Sequence, residues 1–311
     1  MNGSIRLLAR ERKGEGGAAF SPSMALAPAP PYTGNMHLRL PSDGPFPFRF
    51  DRKRLDHPDV PAHQHDGYEV YCLLAGDVDY FVENRVYPLA VGDVMITDPY
   101  EVHTPIFRSD RPYERICIQF DDALTGWTRD AGYDLASVFR DRARGQGNRV
   151  PLAHAQKEEF LGILARIERA AASERPLDRV LTYTYVLELL ALVNRALLDG
   201  PGEVAPAGVP EPVQAVLRRI DAGLDGDLSL HALADAEHLS PDHLGRLFKR
   251  STGLGLHDYV LAKRIARAKE LLREGRSVTE AGAAAGFGDY ANFIRTFKKA
   301  VGVPPGAYRR L

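Results

Sequence analysis

Apolar positions in the last hundred residues recur at helical spacing, and the pattern occurs twice. Leu230, Leu233 and Ala234 share one helix face, His238-Leu239 breaks the chain tightly, and Ser240 is placed to cap a second helix, Ser240–Ser251, with Pro241 at its first position. That helix buries Leu244, Leu247 and Phe248 at i, i+3, i+4 and turns Asp242, Gly245, Arg246, Lys249 and Arg250 outward. Downstream the plan returns: Ser277 caps Val278–Ala285, Gly286-Phe287-Gly288 turns the chain, and Asp289 caps Tyr290–Val301. Phe293 and Phe297 point inward there, with Tyr290, Ala291, Ile294, Arg295 and Lys298 on or near the open side. Between the copies, His257–Glu274 reads as one long helix carrying Tyr259, Leu261, Ile265, Ala268, Leu271 and Leu272, a rigid spacer between two reading helices. A helix built as Ser240–Ser251 is can lie in a DNA major groove.

Upstream the period changes from helical to strand-like. Short runs at Phe46–Phe50, Gly67–Ala75, Asp77–Val82, Arg85–Leu89, Gly92–Thr97, His103–Phe107 and Tyr113–Phe120 alternate with turns such as Gly76-Asp77 and Glu83-Asn84, as in an antiparallel barrel or jelly roll. Helices follow near Ala153–Ala172 and Leu177–Asp199; the second carries Leu181, Val186, Leu187, Leu189, Leu190, Val193 and Leu197 around much of its circumference, so it needs cover on more than one side. The barrel and a second subunit would supply that cover, and a homodimer is expected. The predicted fold is α+β in two domains: a disordered tail (1–35), a β-barrel or jelly roll (36–150), a helical segment for dimerisation and linking (151–199), a Pro/Gly/Ala-rich linker (200–211) and an all-α domain with two helix-turn-helix motifs (212–311).

The second half resembles the AraC/XylS family of bacterial transcription regulators over Asp227–Arg309. The resemblance is carried by Leu233-Ala234, Ser240, Leu244, Leu247-Phe248-Lys249, Gly253, Tyr259, Arg264, Ala268, Leu271-Leu272, Gly286-Phe287, Phe293, Phe297-Lys298-Lys299, Gly302, Pro304 and Tyr308-Arg309. It implies two recognition helices in successive major-groove segments on one face of double-stranded DNA, about 34 Å apart. It also implies activation more often than repression, through RNA polymerase. By position Asp242, Gly245, Arg246, Tyr290, Ala291, Ile294 and Arg295 face bases. Arg246 and Arg295 can fork onto guanine O6 and N7, while Lys249, Arg250, Lys298 and Lys299 suit phosphates. Gly245 and Ala291 offer only close approach or contact with a thymine methyl. The chain departs from the family at Glu280-Ala281-Gly282-Ala283-Ala284-Ala285, where a bulky aliphatic residue followed by Ala is usual. Gly282 costs helix stability of about 0.5–1 kcal/mol relative to Ala, so the second reading head is expected to be the looser one, with less of the specificity.

In the first half His63, His65, Glu69 and Gly76, followed by His103, resemble the two cupin motifs, H-x-H-x(3)-E-x(6)-G and a distant histidine. Tyr100 stands where the second motif often has Gly. In metal-using cupins such side chains bind one divalent ion, and neutral imidazoles with a carboxylate suit iron, manganese, nickel, copper or zinc. His63 and His65, two apart on a strand, would point to one side of the sheet. Three readings stay open: a small-molecule pocket with polar His and Glu contacts, a bound metal, and a structural histidine cluster. Tyr71, Tyr80 and Tyr100, with Tyr68 and Tyr113, suit a sugar or other polyol as effector, and would fill a barrel core equally well.

Charge sharpens the division. The whole chain is near neutral at −1, but residues 212–311 hold 16 Lys+Arg against 11 Asp+Glu, and the remainder 24 against 30. The basic excess sits with the DNA-binding half. With 44% hydrophobic and 26% charged residues, no apolar run judged long enough for a membrane span and no secretory pattern, a cytoplasmic protein is expected. Cys72 and Cys117, both in apolar runs, read as reduced core thiols. The functional expectation is a ligand-controlled, DNA-binding transcription regulator without enzymatic activity. The rival is a cupin enzyme, using iron for dioxygenase or manganese for isomerase chemistry, or a metal sensor, with an accessory DNA-binding domain.

Overall fold

The structure, a computed structural model, describes residues 38–40, 48–56, 65–200, 202 and 205–310. The tail expected over 1–35 and His63 lie outside these residues.

Nine antiparallel strands among the described residues form two sheets. The strands are β1 (Leu38–Leu40), β2 (Phe48–Leu55), β3 (Tyr68–Ala75), β4 (Val78–Val82), β5 (Arg85–Leu89), β6 (Val94–Thr97), β7 (His103–Phe107), β8 (Tyr113–Phe120) and β9 (Arg149–Val150). One sheet runs β1-β2-β8-β3-β6-β9 and the other β5-β4-β7. Short helices α1 (Asp122–Thr125) and α2 (Ser137–Arg140) lead to α3 (His154–Ala171) and α4 (Pro176–Asp199). The second half holds α5 (Glu211–Ala222), α6 (Leu230–Ala236), α7 (Pro241–Thr252), α8 (Leu256–Arg273), α9 (Val278–Ala284), α10 (Tyr290–Val301) and α11 (Pro305–Tyr308).

The layers follow from the two-residue period of the strands. Along β3 and β8, Val70, Cys72, Ile116, Ile118 and Phe120 face α3 and α4, packing on Ile163, Leu164, Ile167, Val186, Leu189, Leu190 and Val193. The alternate positions Tyr71, Leu73, Tyr113 and Cys117 face the space between the sheets, against Tyr80, Val82, Tyr87 and Met95. In β4, Val78, Tyr80 and Val82 point into that space, and Phe81 points the other way into a third cluster with Val216, Leu217, Phe248, Tyr259 and Val260 of the helical half. The order of layers is therefore helix pair, large sheet, small sheet, first helix-turn-helix. Both cysteines are free and buried; burial raises the Cys72 thiol to about 12 and pushes Cys117 well up, so they stay protonated core thiols.

Three expectations need correction. β2 extends through the charged stretch Asp51–Arg54 to Leu55, because every residue pairs with β8 and the charges find partners: Arg115 Nη1 lies 2.9 Å from Asp51, and Arg52 bridges Glu114 at 2.5 Å and Glu168 at 2.8 Å. Against the expectation that no run is long enough, α4 is by length and composition apolar enough to cross a membrane, with mean hydropathy 1.3. Its Val186, Leu189, Leu190, Val193 and Ala196 are nevertheless buried in the core, while Leu177, Val180 and Leu198 are more than 60% exposed. Third, His65 is not on a strand: it precedes β3 in an irregular segment, so a two-residue strand period does not set its direction.

Candidate DNA-reading helices and effector site

The two reading helices are built alike. Ser240 Oγ accepts from the His243 N–H at 3.3 Å at the start of α7, and Asp289 Oδ1 accepts from the Asn292 N–H at 2.6 Å at the start of α10. Each helix has 12 residues and ends on a glycine in the left-handed region, Gly253 (φ 78°) and Gly302 (φ 87°). Inward, α7 buries Leu244 and Phe248, and α10 buries Phe293 and Phe297. Asp242, Arg246, Lys249, Arg250, Tyr290, Ala291, Arg295, Lys298 and Lys299 are exposed as the sequence led one to expect. Two of the eleven candidates sit differently. A side chain at Gly245 would point at Leu230 of α6, 3.6 Å away, so this position serves the α6–α7 contact. Ile294 is half-buried against the core of the second motif.

Gly282 also has a different role from the one its helix propensity implied. It is buried in α9, and a Cβ there would lie 2.7 Å from Cδ1 of Phe293. Its missing side chain admits the ring that anchors α10, so the second head is closely packed, not loosened. The capping box of Ser277 with Glu280 further secures α9.

In the first half, three of the four cupin-motif side chains converge. The ligating atoms of His65, Glu69 and His103 all lie within 4.8 Å of one another. His65 Nδ1 is 2.8 Å from the Gly67 carbonyl and His103 Nδ1 is 2.9 Å from the Glu101 carbonyl. A carbonyl only accepts, so each Nδ1 carries its hydrogen and each Nε2 turns into the cluster. The two Nε2 atoms are 3.2 Å apart, and His65 Nε2 is 3.1 Å from Glu69 Oε2. Approaches this short between two ring nitrogens and a carboxylate require a proton or a cation among them. Glu69 and His103 are nearly fully buried. Burial pushes the Glu69 carboxyl up, yet the His65 and His103 rings and the Gln119 amide outweigh it and hold Glu69 well below the usual carboxylate range. Gln119 donates to Glu69 Oε2 at 2.8 Å from the facing position of β8, a contact the motif reading missed; alternation along β8 marks it as an inward polar residue.

The expected tyrosines divide. Tyr71 and Tyr80 pack ring to ring at 4.6 Å, Tyr71 shares a hydrogen bond with Tyr113 at 3.1 Å, and Tyr80 stacks near His103 and donates to Glu69 at 3.4 Å. They fill the space between the sheets. Tyr100 lies at the junction of the two halves, with the Arg144 guanidinium 5.3 Å from its ring centre.

That junction is extensive. Beside the apolar cluster around Phe81 and Tyr259, the Tyr259 hydroxyl donates to the Glu83 carbonyl at 2.9 Å, and Lys263 pairs with Glu83 and, at 3.0 Å, with Asp221. Lys269, almost wholly buried in α8, donates to the His65 carbonyl at 3.1 Å and pairs with Asp66 at 2.5 Å. Arg108, at the end of the strand that begins with His103, donates to the Arg250 carbonyl at the C-terminus of α7 at 3.3 Å. The segments that carry the two histidines thus touch α8, the spacer, and α7, the first reading helix.

A barrel with a buried polar cluster, docked on paired helix-turn-helix motifs with open basic faces, defines a DNA-binding protein with its own sensory domain. The first part of the chain, residues 47–190, matches an AraC-like ligand-binding domain, and residues 233–311 match a helix-turn-helix domain. Both parts of the chain are therefore similar to those of AraC-type transcription regulators, a ligand-binding domain followed by a DNA-binding helix-turn-helix domain. Among curated proteins it is similar to the regulatory protein PocR of Salmonella typhimurium, 34% identical over 32% of this chain but spanning only 33% of that protein. It is 23% identical to the Msm operon regulatory protein of Streptococcus mutans over 79% of this chain and 84% of that one. It is 20% identical to the transcriptional activator RhaR of Shigella flexneri over 80% and 86%.

Proposed function

We propose that this protein is a cytoplasmic, homodimeric activator that reads its operator with α7 and α10 and answers to a sugar or other polyol bound by the first half. Arg246 and Arg295 read guanines, Asp242, Tyr290 and Ala291 face the groove beside them, and Lys249, Arg250, Lys298 and Lys299 hold phosphates. Gly245 and Ile294 support the heads from within. The exposed Leu177, Val180 and Leu198 of α4 form the contact with a second copy. RhaR, similar over most of the chain, is an activator, and activation here would proceed by contact with RNA polymerase.

One observation carries the effector reading: His65 and His103 form a buried polar cluster whose own chain segments touch α8 and α7. A ligand that binds one docking arrangement better than another shifts the equilibrium between them, and operator affinity with it. The function is regulatory and non-enzymatic. Operator selection from random DNA, followed by operator affinity with and without each of a set of sugars, tests it. Affinity indifferent to every sugar refutes the proposed effector class.

The tautomers favour a second reading. His65 and His103 offer Nε2 and Glu69 a carboxylate oxygen, with His63 nearby in sequence, and this donor set fits a divalent metal such as zinc, iron or manganese. A bound metal would supply positive charge at the junction of the two Nε2 atoms. Metal content of the purified protein at one equivalent, lost in His103→Ala, is the result that reading requires.

A further inference from the structure

Five helices of the second half, α6 to α10, are closed by a residue in the left-handed region. After α7, α8, α9 and α10 that residue is glycine: Gly253, Gly275, Gly286 and Gly302. After α6 it is His238, with φ 54°. One other non-glycine residue among those described has a positive φ, Glu83 at 57°, and its surroundings account for it. The Glu83 N–H donates to the Val102 carbonyl at 2.8 Å, its carboxylate accepts from the Val102 N–H at 2.7 Å, and Tyr259 and Lys263 hold it from α8. His238 has no such support. Its side chain is exposed and, among the described residues, makes no hydrogen bond, ion pair or ring contact.

The doubled motif supplies its own comparison. In the first copy the His238 N–H donates to the Asp235 carbonyl at 3.2 Å and the Leu239 N–H to the Ala234 carbonyl at 2.9 Å. In the second, the Gly286 N–H donates to the Ala283 carbonyl at 2.9 Å and the Phe287 N–H to the Gly282 carbonyl at 3.0 Å. The same pair of bonds closes α6 and α9, so His238 stands where the second copy has Gly286. A Cβ on Gly286 would lie 2.0 Å from the Leu224 carbonyl oxygen, and no side chain fits there. At 238 a side chain fits, but its Cβ crowds the backbone in a conformation that glycine adopts freely. The turn closes as well on glycine, so closing it does not explain the histidine.

The place of the residue in the motif does explain it. His238 comes two residues before Ser240, the cap of α7, and directly follows the end of α6. In a helix-turn-helix the first helix crosses the phosphate backbone and the second enters the groove, so the turn that joins them lies at the groove's rim. An imidazole N–H there can donate to a phosphate oxygen, which a glycine side chain cannot do. We propose that His238 is a phosphate-binding residue of the first reading head, kept at the expense of the turn's own stability. The proposal rests on α7 being a DNA-reading helix, and it gives the first head a sequence-independent contact that the second head lacks.

The test compares full-length wild type with His238→Gly and His238→Ala, by urea unfolding and by fluorescence anisotropy on the selected operator and on a random duplex at one salt concentration. Glycine should shift the unfolding equilibrium about two- to fivefold toward the folded state. It should nevertheless weaken the Kd about two- to tenfold on both duplexes alike. Alanine keeps the Cβ and removes the imidazole, so His238→Ala should lose the same affinity without the gain in stability. Wild-type affinity in His238→Ala overturns the contact, because the loss in His238→Gly then comes from a slack turn. Unchanged affinity in both variants overturns it too, and Arg246→Ala, still weakened on the operator, would leave the reading of α7 standing. Loss confined to the operator overturns the phosphate assignment, and a glycine variant no more stable than wild type overturns the strain argument. If the wild-type protein binds neither duplex at low salt, the proposal and the reading of α7 fall together.

Discussion

Gly282→Ala separates helix propensity from packing. In an open helix, Gly→Ala stabilises by about 0.5–1 kcal/mol. At position 282 the new Cβ would lie 2.7 Å from Cδ1 of Phe293 and 3.0 Å from its Cγ and Cε1, where carbon contacts relax to about 3.5–4.0 Å. The ring would have to retreat by roughly 1 Å. It has no room: Phe293 is fully buried, with Phe287 at 5.0 Å and Phe297 at 5.6 Å between centroids. Overpacking of this kind costs about 1–3 kcal/mol, which exceeds the propensity gain. The expected net effect is a loss of about 1–2 kcal/mol. Gly162 is the matched control: it is exposed in α3, a Cβ there would meet nothing within 4 Å, and its replacement by Ala should stabilise. Urea unfolding of the two variants followed by circular dichroism should therefore give opposite signs. If both variants are stabilised alike, Gly282 is an ordinary helix glycine and the packing argument fails.

Arg246→Ala and Arg295→Ala should each cost about 1–3 kcal/mol on the operator and little on a random duplex at the same salt. Lys298→Ala should weaken both duplexes alike and reduce the salt slope by about one; equal losses from all three variants would mean that neither arginine reads bases. Lys263→Met leaves the buried Glu83 and the nearby Asp221 without their shared cation, weakening the docking of α8 by roughly 3 kcal/mol. Limited proteolysis within residues 200–211 should then accelerate, and an unchanged rate would show that the pair does not hold the halves together. Burial pushes Glu101 up, but Arg142 and the Gly145 and Asp98 amides overcome it and keep its carboxyl below the ordinary 4.5. Its contribution to stability is therefore complete above about pH 4.5 and lost as pH falls through the lower native value. Glu101→Gln should flatten the stability curve in that acid window and not above it.

The helical half was legible because its information is local. Caps at Ser240, Ser277 and Asp289, turn glycines and i, i+3, i+4 stripes lie within one or two turns of each other, and α7, α9 and α10 fall within a residue of the expected bounds. β3, β5, β7 and β8 were legible for the same reason, as apolar runs between turns. β2 was not: residues Asp51–Arg54 are a strand only because β8 pairs with them and Arg115, Glu114 and Glu168 neutralise them from afar.

The histidine cluster shows the same division. Spacing named His65, Glu69 and His103, but the tautomers that turn both Nε2 atoms inward depend on the Gly67 and Glu101 carbonyls, and Gln119 enters from another strand. Composition alone could not tell a tyrosine that fills a core, such as Tyr80, from one that borders a cavity, such as Tyr100. Nor could it show that Gly282 makes room for Phe293, or that Lys269 reaches the carbonyl of His65 across 204 positions of sequence. Local order was enough to place the paired helix-turn-helix motifs and their open basic faces, because capping and amphipathic period act over a few residues. What those helices rest on emerged only on folding, because close approach and burial arise between segments that sequence distance does not relate.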